Sequence, residues 1–363
     1  MTRRTSFRAL LAGAACALLI GVAAAPADAI VGGDPAPPDR WPWMAGLLIS
    51  AEEDVPWAQY CGGAIVGRRR VLTAAHCVLG TNTKEIDVLI GRTRLSVKGG
   101  RRIGVESISV YPGYVSGRQP SLDAAVLVLD EPAGVPPLAL ARPGDDAAFP
   151  ANTEAWTMGW GALNARRSAG RHTFFADRLR ELSLPVQDDD ACEGAFGIGF
   201  PDFPYRPEWV LCAGTGTGET GTCNGDSGGP LVVRSGDGWL DIGILSGGDA
   251  CASPGFYDLF ARVDAVSAFA LSADVTAQPD PKEKPHVVGQ VMGGRRVRCE
   301  KGRWAGDAAR FTYRWTRPGG KLLGRGPAYR LTRRDVRAGV RCIVTANNAG
   351  GRATAAAPLR RRA

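Results

Sequence analysis

Metal-ligating residues are scarce in this chain. Only three histidines occur, His76, His172 and His286, and no two cysteines stand in Cys-x-x-Cys spacing, so a zinc site is not expected. Beyond the first thirty residues no segment is long and apolar enough to cross a bilayer. No internal repeat is present, which sets aside repeat architectures. With 45% hydrophobic residues in 363, wholesale disorder is also excluded, and the chain can bury one large core or two smaller ones.

The amino terminus carries Arg3, Arg4 and Arg8, then an apolar run from Ala9 to about Ala25, then Ala27-Asp28-Ala29. A basic start, a short apolar stretch and a small-x-small ending predict a signal peptide over residues 1–29 and a secreted, extracellular product. Whether the arginines make it a twin-arginine signal stays open. Removing Cys16 with the signal leaves Cys61, Cys77, Cys192, Cys212, Cys223, Cys251, Cys299 and Cys342. An even set in an exported chain points to disulfides.

Proline and charge crowd together from Asp274 to Pro285, a composition that is extended and packs poorly. We therefore expect a large domain over 30–272, a linker over 273–285 and a small domain over 286–363. The charge divides at the same place. Residues 30–272 hold 20 Lys and Arg against 29 Asp and Glu, net −9, whereas residues 273–363 hold 21 against 6, net +15. In the large segment, short apolar runs such as Ile86 to Ile90, Ala124 to Leu129 and Ile242 to Leu245 alternate with turn residues, which predicts an all-β domain. One helix is expected, Val263 to Ala270, at its end.

Two loops carry chemistry. Thr73-Ala74-Ala75-His76-Cys77 sets a histidine beside a cysteine that can fix its backbone, and Gly225-Asp226-Ser227-Gly228-Gly229-Pro230 flanks a serine with glycines that let a carbonyl approach backbone N–H groups. As the nucleophile elbow of an α/β-hydrolase the second loop would need a helix after the serine. Pro230 and the strand-like Leu231 to Val233 argue against that. Gly216, Gly218 and Gly221 fit a dinucleotide-binding glycine pattern, but no strand–helix unit surrounds them.

Together with Ile30-Val31-Gly32-Gly33, Asp123 within Ser121 to Leu127, and Gly159-Trp160-Gly161, these loops resemble the chymotrypsin-like (trypsin) serine proteases, in that family's order, over Ile30 to about Ser272. The resemblance implies two packed six-stranded antiparallel barrels with a C-terminal helix, and a catalytic triad of Ser227, His76 and Asp123 acting on polypeptide substrates. It implies an oxyanion hole from the N–H groups of Gly225 and Ser227 and an activating ion pair between a freed Ile30 amine and Asp226. It implies disulfides Cys61–Cys77, Cys192–Cys212 and Cys223–Cys251, which leaves Cys299–Cys342 for the small domain. No cofactor is called for. Because Ala29 abuts Ile30, signal removal would itself release the activating amine.

The S1 pocket departs from trypsin-type relatives. Where those carry an aspartate six residues before the serine, this chain has Gly221; an ungapped alignment of the closing segment instead puts Asp258 on the opposite wall, with Ser246 and Gly248 bordering the pocket and Gly247 replacing the usual tryptophan. A carboxylate there favours Arg or Lys at P1, with aromatic or large apolar residues as the competing preference. The small domain, with Cys299, Trp315 and Cys342 in order, resembles immunoglobulin-like sandwiches appended to bacterial secreted proteins. Its excess of arginine suits an anionic surface or polymer. The product is expected to be a monomer. The competing function is a catalytically silent adhesin that keeps the protease fold.

Overall fold

The structure, a computed structural model, describes residues 30–116, 121–162, 175–197, 205–272 and 276–358, apart from 307, 309 and 349. The expected signal peptide at 1–29, His172 and linker residues 273–275 lie outside the described residues.

The first barrel is closed. Its strands run Met44–Ile49, Gln59–Gly67, Arg70–Thr73, Ala125–Leu129, Arg101–Val110 and Ile86–Ile90, each antiparallel to the next, and the last returns to the first. Ile86-Asp87-Val88-Leu89-Ile90 and Ala125 to Leu129 are almost wholly buried, as β-branched and leucine-rich runs must be when both faces of a strand meet apolar neighbours.

The second sheet is larger and less complete. The order Arg180–Pro185, Glu154–Gly159, Pro230–Ser235, Gly238–Gly247, Asp258–Arg262, Val210–Ala213 supplies six antiparallel strands, to which Asp34–Pro35 and Ala139–Leu140 add short edges. A single bridge, Val186 to Ala213, spans the gap between its ends, so the second barrel of the sequence reading is a half-barrel here. One apolar core runs through both sheets, from Leu47 and Ile65 to Leu231 and Phe260. The terminal helix spans Val263–Leu271 and turns Val266 and Ala270 inward. Arg70 ties it back through an Nη1 bond to the Ala270 carbonyl at 3.0 Å.

The C-terminal unit pairs a three-stranded sheet (His286–Val288, Arg296–Glu300, Ala328–Arg330) with a four-stranded one (Leu322–Arg325, Arg310–Thr316, Arg341–Asn348, Gly351–Pro358). The Cys299–Cys342 disulfide joins the two sheets beside a fully buried Trp315, which stacks on Tyr329 at 5.6 Å and donates to the Gly326 carbonyl.

The proline-rich segment between the units is packed. Gln278 donates its N–H to the Ile108 carbonyl at 2.6 Å and its side-chain amide to the Thr81 carbonyl at 2.7 Å, and Asp280 accepts from Thr83 at 3.2 Å. Val110 N–H donates to the Gly350 carbonyl, and Gly80 N–H to the Arg352 carbonyl, in a parallel bridge to Ala353. The basic unit is thereby hydrogen-bonded to the strand and loop that flank the histidine turn. Among the described residues no helix is long and apolar enough to cross a membrane.

Candidate active site

The strand Arg70–Thr73 ends in the short turn Ala75–Val78, which buries Ala75, Cys77 and Val78 and leaves the His76 side chain 33% exposed. The Cys61–Cys77 disulfide staples this turn to the neighbouring strand. Cross-linking a short loop stabilises by about 3 kcal/mol in the chain-entropy account. Asp123, wholly buried just before the strand Ala125–Leu129, accepts three hydrogen bonds: His76 N–H at 2.9 Å, His76 Nδ1–H at 2.6 Å and the Ser246 hydroxyl at 2.7 Å. A buried carboxylate needs such donors to remain charged. With Nδ1 engaged by Asp123, Nε2 is the ring nitrogen left for another partner.

Ser227 arrives from the other sheet. Its loop lies flush against the histidine turn because Gly228, at φ +82°, has no Cβ; one there would stand 2.3 Å from Thr73 Oγ1 and 2.6 Å from the Gly62 carbonyl. Gly62 N–H donates to the Ser227 carbonyl at 2.7 Å. Cys77 Sγ lies 3.7 Å from both His76 Nε2 and the Ser227 carbonyl oxygen. Bonded to Cys61, that sulfur has no proton, so both approaches are packing contacts. Cys61, His76 and Cys77 also form the single cluster of metal-type ligand atoms among the described residues. With both sulfurs in a disulfide, it offers no thiolate.

Among the described residues, Asp226, Gly228 and Gly229 donate their N–H groups to Cys223, Leu245 and Asp226, whereas Gly225 and Ser227 donate theirs to no protein acceptor. Gln59 Nε2 holds the Gly225 carbonyl at 2.9 Å. Two backbone donors beside the serine thus have no protein partner among the described residues.

Asp226 points the other way, into the core. It accepts from Gly161 N–H at 2.7 Å and Cys223 N–H at 3.0 Å, and burial pushes its carboxyl up to about 7, against the pull of those two bonds. Glycine is required opposite: a Cβ on Gly159 would sit 2.0 Å from Asp226 Oδ1, and one on Gly161 2.4 Å from its Oδ2. Ile30, fully buried, precedes Val31, which bridges to Gly221. The Ile30 nitrogen is a peptide nitrogen in this chain, and the bonds to Asp226 come from the backbone groups of Gly161 and Cys223.

A cleft of about 390 Å³ opens beside Ser227, with Ser246, Gly248 and Asp258 on its walls. Asp258 is buried there, accepts the Thr222 N–H at 2.8 Å, and is pushed up to about 6 by burial, with Thr222 opposing. Gly221 is not on the wall; it pairs with Val31 and backs onto Ala252. Cys192–Cys212 and Cys223–Cys251 are formed, the second bordering this cleft. The bond from Ser246 to Asp123 and the grip of Gln59 on Gly225 are functional contacts that sequence reasoning missed. Ser246 stood out only as a pocket residue, and nothing local to Gln59 marks it.

Residues 30–270 match the family model described as Trypsin. The chain is 36% identical over 236 residues to Trypsin of Saccharopolyspora erythraea, an overlap covering 65% of this chain and 94% of that protein. It is 31% identical over 247 residues to mouse Serine protease 28, covering 64% and 85%. It is likewise 31% identical over 243 residues to human Transmembrane protease serine 5, covering 65% of this chain and 50% of that one. The match spans the barrel, the half-barrel and both chemical loops: this chain belongs to the trypsin family and is a serine endopeptidase.

Proposed function

We propose that this enzyme is a secreted endopeptidase that cleaves after Arg or Lys through a Ser227, His76 and Asp123 triad. The observation that carries the reading is the buried Asp123 bonded to both His76 N–H groups, beside a cleft that Ser227 and Asp258 share.

In this mechanism His76 Nε2 takes the proton of Ser227 Oγ as that oxygen bonds to the scissile carbonyl carbon. The carbonyl π electrons move to oxygen, and the N–H groups of Gly225 and Ser227 receive the oxyanion, each worth about 3 kcal/mol in the transition state. His76 then passes the proton to the leaving amine, and an acyl-enzyme on Ser227 remains. Water, deprotonated by the same nitrogen, releases the acid. Asp123 stays ionised, holding the Nδ1–H tautomer and stabilising the imidazolium.

Asp258 is the P1 determinant of this reading. A carboxyl that burial raises to about 6 is costly to ionise in an empty pocket, and a guanidinium or ammonium entering the cleft offsets that cost. Asp226 plays the analogous part for activation: the amine released at Ile30 by signal removal pairs with it and orders the serine loop. The small domain is read as an immunoglobulin-like sandwich that holds a monomeric enzyme at an anionic surface or polymer.

The test uses mature protein and peptides that differ only at P1. Cleavage after Arg and Lys, with covalent labelling by a serine-directed inhibitor lost in Ser227→Ala, is expected. No labelling would mean a silent adhesin, and Asp258→Ser with undiminished Arg cleavage would remove Asp258 from the mechanism.

A further inference from the structure

The outer face of the four-stranded sheet is a grid of donors. Along the strand Arg310–Thr316, Phe311 and Tyr313 pack on the core and Trp315 lies within it, while Arg310, Thr312 and Arg314 are exposed. Strand register places Arg325 opposite Arg314, Thr345 and then Thr354 beside Thr312, and Asn347 and then Arg352 beside Arg310. Arginines therefore stand at both ends of the face, about 13 Å apart along the strand, with threonine and asparagine between them.

Leu79 and Gly80, just after the histidine turn, border this face in a half-open cleft of about 760 Å³ whose lining holds four arginines and no acid. A second cavity, about 690 Å³, shares Arg314 and continues to Lys84, Lys282 and Lys284, where Glu85 is the one acid.

None of Arg310, Arg314, Arg325 and Arg352 makes an ion pair among the described residues. The described acids of this unit are engaged elsewhere: Asp280 with Lys282, Glu283 with Arg303, Glu300 with Arg298, Asp335 with Arg317. Arg314 directly opposite Arg325 is a repulsive cross-strand pair, which an anion between the two reverses. Guanidinium forks match tetrahedral oxyanions bidentately. No aromatic ring lines the cavity, so nucleobases have nothing to stack on; hydroxyl and amide donors between the charges suit a sugar or polyol.

We propose that this cleft binds a linear, non-aromatic polymer bearing phosphate or sulfate esters, threaded between the basic sheet and the loop that follows His76. The proposal rests on the reading of the small domain as an anion-binding unit, and it names the site and the ligand chemistry.

Full-length mature enzyme would be titrated with inorganic polyphosphate and with dextran sulfate, and with polyglutamate and oligo-dT as chemically different polyanions. The first two are expected to bind, and the tighter of them tells whether phosphate or sulfate groups are preferred. The quadruple variant R310Q/R314Q/R325Q/R352Q should weaken that binding on the order of 10–100-fold and flatten the dependence of log K on log salt by about 0.7 per guanidinium removed. Its cleavage of short peptides and its melting temperature should stay unchanged, which separates failure of this site from failure of the protease reading. A variant of equal charge on exposed positions outside the cleft, R295Q/R296Q/R330Q/R334Q, should retain most of the affinity. If it loses more than the cleft variant, the basic unit binds anions but not here. Equal binding of polyglutamate or oligo-dT would overturn the ligand chemistry, and unchanged binding in the cleft variant would overturn the site.

Discussion

The protease unit and the C-terminal unit are both β structures, and they treat charge in opposite ways. The first, net −9 over residues 30–272, buries Asp123, Asp226, Asp241 and Asp258 inside it, the first with three donors and the second with two. The second, net +15 over residues 273–363, buries Asp280 against the first unit and Asp335 to fasten its own helix, and leaves arginines on its faces. Thr332 and Asp335 form a reciprocal cap on Arg333–Ala338, and Asp335 also takes Arg317 and Tyr329. A buried charge is committed to one geometry and so can serve chemistry or specify a fold. An exposed charge keeps its freedom and can meet a flexible partner.

The contrast breaks most sharply at Asp123. Asp123→Asn should lower kcat by about 10⁴-fold in peptide assays while the protein remains folded; a loss below tenfold would separate this acid from the chemistry. Next is Asp258→Ser, for which the ratio of Arg to Phe cleavage should fall on the order of 100-fold. In the unsubstituted enzyme that same ratio should climb as pH rises through about 6, as the carboxyl ionises. Taking the ratio cancels the steps common to both substrates. A flat ratio would refute the electrostatic role.

Smaller effects sharpen the comparison through pH. Asp226, raised from 3.8 to about 7 by burial, keeps its proton in the folded uncut chain where the unfolded chain releases it. Its contribution to the stability of that chain should therefore be greatest on the acid side and be lost as pH rises from about 4 to about 7. Asp335 has the opposite sign. Although burial pushes it up, bonds from Thr332, Arg317 and Tyr329 hold it down at about 2, so its contribution is present above pH 4 or so and is lost as pH falls toward about 2. Urea melts of the uncut chain, inert through Ser227→Ala, against the same chain with Asp226→Asn or Asp335→Asn, should give difference curves of opposite slope. Parallel curves would show that the two acids are not differently housed. The smallest effect is expected for Gln278→Ala, which removes one bond between the units. About 1 kcal/mol lost in the same melts is the expected outcome, and no loss would make that bond incidental.

What the sequence conveyed divides by range. The histidine and serine loops are legible because their flanking residues do local work, Cys77 as a staple and Gly228 as a gap that a side chain would fill. The terminal helix, expected over Val263 to Ala270, spans Val263–Leu271 because its apolar periodicity is local. Contacts between distant residues leave no such trace. Ser246 reaches Asp123 across 123 positions and Gln59 reaches Gly225 across 166. Proline and charge between the units suggested poor packing, yet Gln278 and Asp280 are buried because carbonyls of the protease unit and Thr83 happen to face them. The half-barrel, spanned by one bridge at Val186 and Ala213, was equally out of reach, since closure depends on how far a sheet coils.

Among the described residues, three backbone bonds cross between the first barrel and the C-terminal unit, from the amides of Gly80, Val110 and Gln278. Each amide can exchange its hydrogen with solvent only when the contact opens. Deuterium uptake at these three positions is therefore a native clock for separation of the two units. It runs without labels or substitutions, and it stands next to the turn that carries His76.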